Sequence, residues 1–289
     1  MLAQLLAILA AFILSLGVVL IRRNINKENF FSFIIIVTII GNIVVWPLIL
    51  IYPPRNLSIN ALIIFSVVGL LHPGITRILY FSGMMNVGAS INASIFAIYP
   101  LISTLLAILI LNEQPTVLSW LGILLVIIGG IFIHNAIHKE KSVRKGKPIP
   151  SLLAMIIAGF AYTLKKIGLN LCKEPLTATA ITYFISLTLY IFIICFSKSI
   201  RENLQVDTNV LKLFWKGGLC LAICAIIPFY ALMYGNVFTV TPLLQTEPLF
   251  ILLLLHIFLR AIEKVSKNIV IGTLMVVTGI MLITFLSHI

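Results

Sequence analysis

Apolar runs long enough to cross a bilayer follow one another along this chain, and nearly all of the charges fall between them. A helix of about 20 residues spans a hydrocarbon core of roughly 30 Å. That core holds no water, so such runs must satisfy their own backbone groups, and a helix does so within one segment. The fold class expected is therefore an all-α integral membrane protein. Only 10% of the residues are charged and 61% are hydrophobic, whereas a soluble chain carries roughly 25% charged residues.

The runs predict ten spans: residues 2–21, 30–52, 59–84, 88–111, 117–136, 150–171, 175–196, 210–234, 237–259 and 268–286. The first has no basic segment before it and no small-residue cleavage pattern, so it reads as a retained helix rather than a signal peptide. One polar connector stands out at the midpoint, with Lys139, Lys141, Arg144, Lys145 and Lys147 in it. It divides the chain into a first unit (1–136), a basic connector (137–149) and a second unit (150–289), each unit with five spans.

The units resemble each other. Leu5-Leu6-Ala7 matches Leu152-Leu153-Ala154 at a shift of 147, and Pro100-Leu101 matches Pro248-Leu249 at 148. Glu113, Gly122 and Gly129 match Glu263, Gly272 and Gly279 at 150. An odd number of spans per unit makes the second copy cross in the opposite sense, an inverted repeat of the kind found in secondary transporters.

Arg77 with Tyr80, Gly88-Ala89-Ser90, Pro100 and Leu111-Asn112-Glu113, followed by Trp120, Gly122 and Gly129, resemble the EamA-type pattern of the drug/metabolite transporter superfamily. Glu247-Pro248-Leu249 is similar to its second-half Glu-Pro-Val element. The resemblance covers most of the chain and implies ten helices in two inverted five-helix repeats. Between them it implies a central cavity lined chiefly by helices one, three, four, six, eight and nine. It also implies export of amino acids or other small metabolites. Arg260-Ala261-Ile262-Glu263 departs from the pattern's Leu-Gly-Glu and lengthens that helix end by two residues.

The net charge of +12 is distributed as a membrane protein distributes it, in short loops and at helix ends, and not as a nucleic-acid surface. Connectors after spans one, five, seven and nine hold most of the Lys and Arg; the opposite side holds Arg55 and Lys173. The excess of basic residues in cytoplasmic loops then favours both termini outside, whereas the resemblance implies both inside.

Arg77 lies well inside an apolar run, where a bare cation costs roughly 3 kcal/mol on insertion scales. It should face protein or water, either as an anion-binding group with Tyr80 on its face or as a structurally paired arginine. Glu247 is the one carboxylate placed inside the membrane away from a helix end, a position suited to proton coupling, to a substrate amine, or to an ion pair with Arg77 or Lys165. Pro73, Pro100, Pro228 and Pro248 interrupt spans three, four, eight and nine, and the carbonyls they free are tolerated only beside protein or cavity water. Tyr99, Tyr230, Tyr234, Gln245 and Lys165 complete the candidate substrate-binding set, against the plainer readings of packing and of snorkelling by Lys165 and Lys166. Glu113 and Glu263 read as helix-end markers that bond backbone or loops.

Cys172, Cys195, Cys220 and Cys224 lie mostly in apolar runs, and Cys220 and Cys224 share a face with no His or carboxylate to complete a metal site. His72, His134, His138, His256 and His288 are dispersed. No metal, cofactor or phosphate-binding loop is expected. An intramembrane enzyme would need a nucleophile–base pair, paired aspartates or metal ligands, and the spans contain no aspartate. The function expected is a secondary transporter of the plasma (inner) membrane, an exporter of a small polar metabolite such as an amino acid. It would work by alternating access, with proton coupling through Glu247 as an option, as a monomer or homodimer. The alternative is a lipid-linked sugar flippase or its accessory subunit; a channel is a third reading.

Overall fold

A computed structural model describes residues 1–22, 30–87, 92, 95–137, 146–202, 204, 208–247, 249–250, 253–254 and 267–285. Twelve α-helices are defined there: α1 (Leu2–Arg22), α2 (Phe30–Ile51), α3 (Ile59–Gly69), α4 (Thr76–Val87), α5 (Tyr99–Leu111), α6 (Val117–Ile137), α7 (Ile149–Leu171), α8 (Pro175–Phe196), α9 (Lys198–Glu202), α10 (Thr208–Tyr234), α11 (Val237–Leu244) and α12 (Lys267–Phe285). A π-helical segment, Leu70–Ile75, joins α3 to α4. No strand occurs among the described residues.

Six helical runs are long and apolar enough to cross a membrane, with shorter apolar helices at Tyr99–Leu111, Val117–Phe132 and Ile271–Ile283. Leu50 is 82% exposed and Leu109 76% exposed. Such faces have no place in water and suit lipid. The interior faces of α1 and α7 carry small residues instead. Ala3, Ala7, Ala10 and Ala11 on α1, and Ala154, Ala158 and Ala161 on α7, are buried, which lets helices approach closely where lipid supplies no hydrophobic drive.

Local sequence sets the helix ends. Ser58 caps α3, its hydroxyl accepting from the Ala61 N–H at 3.2 Å. Pro175 opens α8 in the first turn, where its missing N–H costs nothing. Asn112 ends α5 in the left-handed region, at φ 54° and ψ 31°.

Close contacts fix the helix directions. A Cβ on Gly122 would lie 2.8 Å from the Gly279 carbonyl, and one on Gly129 would lie 2.7 Å from the Gly272 carbonyl, so α6 and α12 are antiparallel. α1 and α10 are antiparallel too, with Gly17 against Gly217 and Ala3 against Gly235. So are the α3–α4 run and α7, with Phe65 against Gly168 and Ser151 against Gly83. α2 runs parallel to α10, Phe33 on Phe214 and Ile40 on Gly218. α8 runs parallel to α3, Gly69 against Thr182 and Pro73 against Tyr190. α5 packs on α7, and α11 packs on α1. Each packed pair therefore has a counterpart when a helix of the first half is exchanged for its mate in the second. The two glycine contacts of α6 and α12 interchange under the shift of 150.

One end of the bundle gathers Leu2, Ile51, Ile59, Leu111, Leu171, Pro175 and Tyr234; it is called the Tyr234 end. The other gathers Arg22, Phe30, Val87, Ile137, Ile149, Phe196 and Thr208; it is called the Arg22 end.

Several expectations change. The third span is two helices with a π segment between them, and His72 there leaves helical geometry at φ −146° and ψ 115°. The interruption expected at Pro228 is absent: Pro228 is buried inside an uninterrupted α10, which absorbs the loss of one hydrogen bond. The loop expected at 197–209 contains the short α9, whose Lys198 and Glu202 approach to 3.8 Å on the surface. Gly88-Ala89-Ser90, Pro248 and Glu263 lie outside the described residues.

Candidate functional site

The centre of the bundle is built from broken helices. In the π segment, Pro73 has no N–H to offer the Gly69 carbonyl. Ser186 Oγ of α8 takes that place at 2.7 Å, and the Tyr190 hydroxyl donates between the Pro73 and Gly74 carbonyls at 3.1 and 2.9 Å. The break is thus satisfied by protein, as membrane depth requires. It swings the His72 ring towards α7.

On α7, Tyr162 and Lys165 are three residues apart and share a face. Lys165 is 4% exposed. Its Nζ lies 3.3 Å from His72 Nδ1, 4.2 Å from the centre of the Tyr162 ring and 5.0 Å from that of Phe229. Tyr162 stacks on Tyr99 at 5.1 Å, with the rings 15° apart. Tyr99 in turn meets Phe96, and Phe96 meets Tyr80, with ring centres 5.2 and 4.9 Å apart.

Tyr99 stands where α5 begins, after a turn at Ala97 and Ile98; Pro100 occupies the first turn of that helix. The second half repeats the device. α11 stops at Leu244, a turn follows at Gln245 and Thr246, and helix resumes at Glu247. Gln245 and Thr246 are buried, and the Gln245 side chain is in reach of the Tyr99 hydroxyl. Glu247 is half-buried, its backbone carbonyl accepting from Ser15 Oγ at 3.0 Å. Its carboxylate acts electrostatically on Tyr99, Tyr162 and Cys224. Cys224 Sγ donates to the Ala10 carbonyl at 3.4 Å.

The buried cluster therefore draws on α1, the π segment, α5, α7, α10 and the break after α11. Of the residues singled out in the sequence, Lys165, Tyr99, Gln245 and Glu247 meet around it, with Tyr80 reached through Phe96. His72, Tyr162 and Phe229 were not singled out; Tyr162 had a signal, its spacing from Lys165.

Arg77 is held elsewhere. Its guanidinium donates to Thr38 Oγ1 of α2 at 2.9 Å and lies 5.9 Å from the centre of the Tyr183 ring of α8. That arrangement matches the structurally paired reading. Tyr230 lines a cavity of about 460 Å³ at the Tyr234 end with Tyr52, Arg55 and Glu174; Tyr234 lines another of about 210 Å³ with Gln4 and Thr239. Lys166 points the same way, donating to the Leu232 and Gly235 carbonyls at 2.8 and 2.9 Å. Glu113 accepts from the Val237 and Phe238 N–H groups at 2.9 and 3.2 Å and so caps α11, a backbone role of the kind expected. Burial pushes its carboxyl up from the usual range, against the pull of those two amides and of Lys166.

The electrostatics of this cluster are unbalanced. Among the described residues the only ion pair is Lys198–Glu202. Among the described residues, neither Lys165 nor Glu247 has a charged partner within 4 Å, and Glu247 makes no ion pair with Arg77 or Lys165. Desolvating an ammonium costs several kcal/mol, and a desolvated cation–π contact returns about 2 kcal/mol. His72 supplies one acceptor for three ammonium donors. The arrangement is thus suited to receive an acceptor-rich or anionic group at Lys165 and a donor or proton at Glu247. No group of three or more His, Cys, Asp or Glu placed to hold a metal occurs among the described residues.

A solved crystal structure superposes on the chain with a TM-score of 0.74 over 99% of this chain and 96% of the other, at 17% identity; that likeness shows the fold. No protein of curated function matches. The sequence profile of one family matches twice, over residues 1–134 and 149–285; the chain belongs to the EamA-like transporter family, of the drug/metabolite transporter type.

Proposed function

We propose that the protein is a secondary transporter that moves a small polar metabolite, such as an amino acid, out of the cell across the plasma membrane by alternating access. Ten spans form two inverted five-helix repeats, residues 1–136 and 150–289, joined by the basic connector at 137–149. The double profile match, the antiparallel α6–α12 contact and the helix breaks at 97–98 and 245–246 support this division. Rocking one set of helices against the other would open a chamber at the Lys165 cluster to each side in turn. The outward direction rests on the family resemblance.

One observation carries the assignment of the chamber: Lys165 is 4% exposed with no carboxylate within 4 Å among the described residues. An uncompensated ammonium in an aromatic pocket is costly to maintain and gains most from a guest that supplies acceptors. Tyr99, Tyr162 and Gln245 would flank that guest, and Glu247 would bind its amine or exchange a proton as it leaves.

The test is flux through purified protein in liposomes, screened over amino acids, nucleosides and sugars. A saturable, counterflow-competent flux of one class is expected. Lys165→Met should reduce it by about 10-fold or more, the worth of one hydrogen bond to a charged group. Arg77→Ala, with its contacts to α2 and α8, should instead lower thermal stability while leaving KM within a few-fold. Flux that fails to saturate, or that survives Lys165→Met unchanged, would sink the reading.

A further inference from the structure

Helix directions assign the described cations to the ends of the molecule, and the assignment is lopsided. Of the 12 Lys and Arg among the described residues, seven lie at the Arg22 end and three at the Tyr234 end, with Arg77 and Lys165 between. At the Arg22 end the described ones include Arg22 closing α1, Lys147 before α7, Lys198 and Arg201 on α9, and the exposed Lys212 and Lys216 in the first turns of α10. Lys216 lies 5.6 Å from the Trp215 ring centre, and both are exposed, the pairing of an indole and an ammonium found where a helix leaves hydrocarbon.

The Tyr234 end is different in kind. Of its three cations, Lys166 is bound to the Leu232 and Gly235 carbonyls. Its carboxylates are occupied by backbone: Glu174 accepts from the Arg55 and Asn56 N–H groups at 2.9 and 3.3 Å, and Glu113 caps α11. Arg55 and Lys173 are the exposed cations left at that end.

We infer that the basic Arg22 end rests against the anionic headgroups of the cytoplasmic leaflet, so that the start of α1 and the end of α12 lie on the outer side. The connectors are short, the condition under which Lys and Arg decide orientation, and acidic residues count for little in that decision. Anionic lipid on the cytoplasmic side attracts such a face further. This is the reverse of the orientation that the family resemblance implied. It makes the two cavities lined by Tyr230 and Tyr234 external vestibules.

The inference is independent of what the chamber carries, and its test needs no substrate. In a Cys195→Ser background, Gln114→Cys and Lys147→Cys place a thiol at exposed positions on opposite ends. In intact bacterial cells a membrane-impermeant maleimide should label Gln114→Cys, and Lys147→Cys only after permeabilisation. A C-terminal alkaline phosphatase fusion should be active and a C-terminal green fluorescent protein dark. The opposite labelling, or equal labelling of both thiols in intact cells, would overturn the single orientation. Cys195→Ser alone should give no signal, and labelling of it would be subtracted through the same comparison.

Discussion

The breaks at α5 and α11 share a backbone and differ in chemistry. In the first, the Ile98 N–H returns to Ile95 at 3.2 Å and the Leu101 N–H to Ile98 at 3.0 Å; in the second, Thr246 returns to Leu243 at 3.2 Å and Leu249 to Thr246 at 3.0 Å. Every pair in that comparison lies 148 residues apart, the shift that also relates Pro100 to Pro248. The residue that resumes the helix is Tyr99 in one half and Glu247 in the other. The hydrogen-bond pattern is common to both copies, whereas the side chain delivered to the chamber is not. A repeat can therefore hold its mechanical frame constant while one position per half sets what is bound.

The frame itself is the place to break that comparison hardest. If the halves are equivalent at their α6–α12 seam, Gly129→Leu and Gly279→Leu should cost the same, because each drives carbon into a partner carbonyl less than 3 Å away. Overpacking costs about 1–3 kcal/mol and more where backbone must move. The largest losses of thermal midpoint in detergent are expected here, equal for the two variants. A tolerated leucine at one position and not the other would show that the seam is not symmetric.

Chemistry should separate where the frame does not. Glu247→Gln keeps shape and removes a charge; a lost charge-assisted contact of about 1.5–3 kcal/mol corresponds to roughly 10- to 150-fold in transport. Tyr99→Phe keeps the stack on Tyr162 and loses one neutral hydroxyl contact, worth about 0.5–1.5 kcal/mol and so about 10-fold or less. Measured in the same liposomes, a Tyr99→Phe defect as deep as that of Glu247→Gln would erase the distinction between the halves.

Much of this frame was legible in the sequence, for a simple reason. Span length is a one-dimensional property, so 175–196 was read from the apolar run alone and α8 occupies that range. The paired breaks at Pro100 and before Pro248 were legible through the shift of 148. What could not be read was which face of each helix points inward. His72 and Lys165 are 93 residues apart and meet only because the π segment turns the histidine. Arg77 stayed open between an anion-binding and a paired reading because nothing in an apolar run advertises that Thr38 lies within reach of it. Pro228 looked like a break because a proline marks a lost hydrogen bond, and whether a helix bends or stops there depends on its neighbours.

The smallest effect lies where the halves touch each other beside the breaks. Ser103 Oγ and Thr241 Oγ1 lie 2.9 Å apart, buried, while Ser103 is also 3.0 Å from the Pro100 carbonyl and Thr241 2.9 Å from the Val237 carbonyl. Two hydroxyl protons serve these three contacts, so the hydroxyl that donates across the halves gives up the carbonyl of its own helix. Ser103→Ala and Thr241→Val should each cost about 1 kcal/mol of stability, and a double-mutant cycle should return a coupling of about 0.5 kcal/mol or more, since contacting pairs are non-additive. A coupling of zero would mean that the hydroxyls serve only their own helices.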